Sequence, residues 1–246
     1  MGARPGEDPR LTTRLGAELL GAAMLTFVAA GGDTMARLSG GDISAAARAV
    51  APALLVMALI YALGDRSGAH FNPAVTAAFT LRGVFPLRLV GPYVVAQLAG
   101  AVLAAAAIRW LFGDALDAGV TRPRLVDPLT AFVIEAILTT ILVTVILGTA
   151  DRERVVGPNA ALAVGGAIAL CGLIALPIEG ASMNPARSTG PAVLMGDLGE
   201  LWIYWAGPLV GAAIAVGITR LLDGSADDDG AARKAAMGST GPSGAR

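Results

Sequence analysis

Long apolar runs broken by short polar stretches set the pattern of this chain. Six runs reach the roughly 20 residues that a helix needs to cross a bilayer: 15–31, 46–63, 89–112, 129–149, 160–177 and 201–222. Two more, 71–81 and 183–195, are too short to span, and an Asn-Pro-Ala triplet lies at the start of each. A short apolar segment in a membrane protein predicts a re-entrant half-helix, which is tolerated where it is buried in protein or lines a watery cavity. The pattern therefore predicts an all-α membrane protein with six transmembrane helices and two re-entrant half-helices.

The two halves repeat. Asn72-Pro73-Ala74 recurs as Asn184-Pro185-Ala186, 112 positions on; the segment at Gln97 recurs at Pro208, 111 on; Glu18 and Glu135 stand 117 apart in the first span of each half. Each half holds three spans, an odd number, so the second inserts upside down, an inverted 3+3 repeat with its working site near the midplane. The predicted organisation is a tail over 1–12, a channel domain over 13–222 (repeats 13–120 and 121–222), and a disordered tail over 223–246. That last stretch is rich in Gly, Ser, Ala and Asp and has little to bury.

Composition sharpens the picture. The 246 residues are 55% hydrophobic and 15% charged, with mean hydropathy +0.67; soluble domains carry about a quarter charged residues. The net charge of −1 gives no footprint for nucleic acid. Cys171 is the only cysteine and His70 the only histidine, so neither an intrachain disulfide nor a metal site is expected, and no cofactor is implied. No cleavable signal peptide is evident. With the amino terminus inside, basic residues divide twelve inside to six outside, which predicts cytoplasmic termini in the cell membrane.

Asn is a preferred helix N-cap and Pro a preferred first residue. Asn72-Pro73 and Asn184-Pro185 therefore predict two helix starts meeting head to head. Each start carries about half a positive elementary charge, and each Asn amide can donate to a passing oxygen. That field suits a neutral hydrogen-bond acceptor and opposes cations and relayed protons.

Ser67-Gly68-Ala69-His70-Phe71-Asn72-Pro73-Ala74-Val75-Thr76 and Gly180-Ala181-Ser182-Met183-Asn184-Pro185-Ala186-Arg187-Ser188 closely resemble the two signatures of the aquaporin (major intrinsic protein) family. The resemblance implies a pore in each subunit of a homotetramer, surrounded by lipid. It places Arg187 in an outer selectivity constriction, with Pro52, Gly172 and Ala181 as the other filter positions. It makes carbonyls of 68–71 and 180–183 a ladder of acceptors, and Glu18 and Glu135 structural holders of the loops. His70 and Gln97 read as hydrogen-bonding supports. Ser188, Ala192, Tyr204 and Trp205 resemble the water-channel side of the family, although the last two also fit plain interfacial aromatics. Strict water channels of the family carry an aromatic where this chain has Pro52 and a His where it has Gly172, which predicts a wider and less polar opening. Ile60-Tyr61-Ala62-Leu63-Gly64 resembles the nodulin-like intrinsic branch, some of whose members pass glycerol, urea or undissociated metalloid acids. Asp65-Arg66 replaces the His-Ile of many members. The expected function is a passive channel for water and other small uncharged solutes; a secondary transporter is the alternative, and an enzyme a distant third, since no catalytic arrangement is visible.

Overall fold

A computed structural model describes residues 9–150, 159–224 and 230–238. Among the described residues, six helices are long and apolar enough to cross a membrane: α1 (Leu11–Leu38), α2 (Ala45–Ser67), α4 (Val90–Phe112), α5 (Pro128–Ala150), α6 (Ala160–Glu179) and α8 (Ile203–Asp223). Two half-helices, α3 (Pro73–Arg82) and α7 (Pro185–Met195), lie between them. At 10 and 11 residues and about 1.5 Å per residue, each covers about half of a 30 Å hydrocarbon core. Leu20, Phe27, Leu103, Ile137, Leu170 and Ile174 are exposed on the sides of the bundle, as a lipid-facing surface requires.

The helices pair by the repeat. α1 packs on α4, and α5 on α8. Each pair closes on a glycine: a β-carbon at Gly100 would stand 2.2 Å from the Leu19 carbonyl oxygen, and one at Gly211 would stand 2.3 Å from that of Ala136. Small residues let membrane helices approach this closely. The half-helices cross over. α3, from the first half, packs mostly on α8, and α7, from the second, mostly on α4. Neither half can bury its own half-helix, so the two form one unit.

Local chemistry fixes the ends. The Ser44 hydroxyl caps α2 by accepting from the Ala47 N–H at 3.1 Å. Asp127 accepts from the Leu129 and Thr130 N–H groups at the start of α5, and the Thr130 hydroxyl bond holds its carboxyl below the usual range.

One expectation changes. Residues 223–246 read as disordered, yet Asp223 ends α8 and Gly230–Met237 form a further helix, α9, with Ala232 and Ala236 buried. Its alanines have little apolar surface but are small enough to fit against α2 and α5. Composition alone cannot register such a fit. Residues 1–8 of the predicted 1–12 tail, and 225–229 and 239–246 of the predicted 223–246 tail, lie outside the described residues, as do Arg4, Arg152, Arg154 and Arg246 of the orientation count.

Candidate functional site

The loops entering α3 and α7 have matching backbones. Ala69, Phe71, Ala181 and Met183 all have positive φ, at 52°, 49°, 43° and 53°. Each such non-glycine residue costs about 1–3 kcal/mol, so the surroundings must hold it. In the first loop, Glu18 accepts from the His70 N–H (3.0 Å), the Phe71 N–H (2.7 Å), the Ser67 hydroxyl (2.7 Å) and the Gln97 amide (2.7 Å). In the second, Glu135 accepts from the Ser182 N–H (2.6 Å) and the Met183 N–H (2.8 Å), and Glu179 accepts from the Ala181 N–H (2.9 Å). All three carboxylates are fully buried.

The helix starts are tied to each other's loop. The Asn72 Oδ1 accepts from the Ala74 N–H at 2.9 Å, while its amide donates to the Met183 carbonyl at 2.7 Å. The Asn184 Oδ1 accepts from the Ala186 and Arg187 N–H groups, while its amide donates to the Phe71 carbonyl at 2.9 Å. Each amide nitrogen carries two hydrogens, so a second donor remains on each. Pro73 and Pro185 follow as first helical residues, and Ala74 and Ala186 are fully buried behind them.

Two cavities meet at this pair. Asn72, Asn184 and Phe71 line one of about 600 Å³, together with Gly68, His70 and residues of α9. Asn72 and Asn184 also line a second, of about 60 Å³, on the Arg187 side. The smaller one has room for a few waters. Pro52, Gly172, Ala181 and Arg187 all line it, as do Asp33, Arg48 and Ala49. The Arg187 guanidinium lies 3.3 Å from Asp33 Oδ2 and 3.5 Å from the Gly119 carbonyl; Arg48 meets Asp33 Oδ1 at 2.6 Å.

Several of these residues escape sequence reasoning. Asp33 lies just past the predicted end of the first span, yet α1 runs on to Leu38. Read as part of that helix, it is an intramembrane acid that demands a partner. Arg48 reads as a flanking basic residue. Glu179 lies two residues past the predicted end of the fifth span, yet α6 runs on to include it. The predicted less polar opening therefore meets two further charged groups.

Gly172 also has a packing role. A β-carbon there would sit 3.0 Å from the Ala49 Cβ, so the glycine also sets how closely α6 approaches α2. His70 is buried between Thr76 Oγ1 and the Ala236 carbonyl, each at 3.0 Å. Gln97 bonds Thr76 as well as Glu18. Tyr204 is not an interfacial aromatic: it is fully buried, and its hydroxyl donates to the Glu179 carbonyl. Tyr93 does the same to Ser67 at 2.9 Å. Trp205 donates to Thr189 at 3.0 Å.

The sequence model of the major intrinsic protein family matches residues 8–218. "Aquaporin NIP1-1" of Zea mays is 44% identical over 196 residues, covering 80% of this chain and 70% of that protein. "Aquaporin NIP1-2" of Arabidopsis thaliana is 44% identical over 209 residues, covering 81% and 70%. The aquaglyceroporin of Plasmodium falciparum has the same fold, with a TM-score of 0.77 at 24% identity over 85% of this chain and 96% of that one. With the family model spanning most of its length and relatives well above 30% identity, this chain belongs to the major intrinsic protein family.

Proposed function

We propose that this protein is a passive channel for water and small uncharged solutes, excluding ions and protons. One observation carries the reading: Asn72 and Asn184, each capping a half-helix, line both cavities where they meet. Two positive helix ends and the spare amide hydrogens favour an acceptor oxygen there and oppose a cation. Arg187 adds a fixed positive charge on the way in.

The selectivity reading goes further. Gly172 and Ala181 bring no ring into the smaller cavity, and Pro52 brings only its pyrrolidine. We propose Pro52, Gly172, Ala181 and Arg187 as the filter, and passage of at least one of glycerol, urea or a neutral metalloid acid alongside water. The name of the P. falciparum neighbour, an aquaglyceroporin, agrees with that choice. The described basic residues Arg14, Arg66, Arg82, Arg88 and Arg220 support placing the α9 end in the cytoplasm of a cell-membrane protein. A homotetramer is the proposed assembly.

The test is stopped-flow light scattering on proteoliposomes, with water, glycerol, urea and boric acid in turn. Water flux plus at least one solute is expected, insensitive to an imposed proton or sodium gradient. Exclusion of all three solutes would reduce the reading to a strict water channel, and gradient-driven uptake would make the protein a transporter.

A further inference from the structure

The charged group around Asp33 extends the filter. Asp33 and Arg187 are each 5% exposed, and they pair at 3.3 Å in the wall of the cavity that holds the four filter positions. One carboxylate serves two arginines, one from α2 and one from α7. The Arg48 side chain is 18% exposed and lines the same cavity, so the wall presents its guanidinium as a donor beside the carboxylate. We propose that Asp33 is a positioning residue of the filter: it holds the Arg187 guanidinium against the wall at Gly119 and brings Arg48 in as a further donor to the solute. This rests on the reading of Arg187 as a constriction residue. The guanidinium sits on a long flexible stem, and without its partner it is free to cross the lumen. A water molecule passes such an obstacle more easily than a three-carbon polyol or a planar amide. The wall then offers both donors and an acceptor, which suits small neutral solutes bearing hydroxyl or amide groups.

The experiment compares Asp33→Asn, Asp33→Glu and Arg187→Val in the full chain, reconstituted at equal density. For Asp33→Asn, glycerol or urea permeability should fall about tenfold, the size of a lost charge-assisted hydrogen bond, while water changes less than about twofold. Asp33→Glu should restore most of the ratio. An equal fall for water and solutes in Asp33→Asn, or no change, overturns the proposal. If Arg187→Val alters neither selectivity nor ion leak, the filter reading itself falls, which separates the two failures.

A second inference stands on the opposite end. α9 lies along the mouth of the larger cavity, where Ala231, Lys234, Ala235 and Gly238 form part of the wall. Its contact is intimate: a β-carbon at Gly68 would stand 2.5 Å from the Ala236 oxygen, and one at Gly238 would stand 2.5 Å from the Ser67 nitrogen. His70 contacts the Ala236 carbonyl, and Arg14 donates to the Met237 sulfur at 3.4 Å. Yet an eight-residue helix is not stable alone, and its two buried side chains are alanines, which contribute little apolar area. We infer that α9 is a detachable strap that restricts the mouth of the larger cavity, and that its release raises flux without changing selectivity.

Ala236→Glu and Ala232→Glu, each in the full chain, put a charge into the buried contact; Arg233→Glu, on the exposed side, is the control. Both alanine variants should raise water permeability about threefold or more at an unchanged solute-to-water ratio, with the control unaffected. Unchanged or lower flux in folded alanine variants overturns the inference. So does failure of both to fold, because a strap that can leave is not needed for the fold.

Discussion

The two re-entrant loops share one backbone and differ in what surrounds it. Their positive-φ residues match one for one, as do Tyr93 and Tyr204, which both hold a span-end carbonyl. Even the side-chain bridge to the half-helix is preserved in form: His70 to Thr76 in the first loop, Ser182 to Ser188 at 2.6 Å in the second. The differences are chemical. Ser67 corresponds to Glu179, so the first loop hangs on one carboxylate and the second on two. Val75 corresponds to Arg187, so one half-helix presents an apolar first turn and the other a guanidinium. The cavity on the Val75 side is about 600 Å³ and the one on the Arg187 side about 60 Å³. Duplication thus supplies a symmetric frame, and a few substitutions make one mouth wide and the other narrow and charged.

The sharpest way to test that division of labour is to remove the carboxylates one at a time. Glu18→Ala strands four donors in a buried site and Glu135→Ala strands two, at about 1–3 kcal/mol each. Both variants should lose most monodisperse protein in detergent, and Glu18→Ala should lose more, because Glu179 still holds part of the second loop. Equal stability of the two would mean that the loops do not rely on these bonds.

Erasing the asymmetry at the half-helices comes next. Arg187→Val makes the second start resemble the first and should introduce a proton leak, read with an internal pH dye. Val75→Arg does the reverse. It places a second charge in an apolar cavity at a cost of about 2.5–3.5 kcal/mol, and it should suppress water flux well below that of the unmodified channel.

A smaller effect is expected at the proposed filter. Pro52→Phe should lower glycerol or urea flux several-fold while sparing water. Gly172→Ala forces a methyl to 3.0 Å from the Ala49 Cβ, and overpacking of this kind costs about 1–3 kcal/mol. Gly172→His therefore tests helix spacing as well as pore width, and a lowered melting temperature should accompany any gain in selectivity. The least costly change is Thr121→Val. It removes the 2.9 Å bond to Ser188, which stands where the first loop uses Gln97 on Thr76. About 1 kcal/mol is expected, seen as a small drop in thermal stability with flux retained.

Much of this protein is written along the chain. Hydropathy and length alone mark six spans and two half-helices, because a bilayer leaves the backbone few alternatives. The spacing of Asn72 and Asn184 gives the inverted repeat, and Asn-Pro gives the helix starts, because capping is a local matter of two or three residues. What lies between segments distant in sequence was decided only in three dimensions. Asp33 and Arg187 are 154 positions apart, and no periodicity links them. Gly172 looks like an empty filter position until α2 is found against it. α9 has too little apolar surface for a composition rule to notice, yet small residues are what allow it to dock under Gly68. Local rules fix where helices begin and end; which buried charge meets which, and which glycine faces a neighbour, depends on how those helices pack.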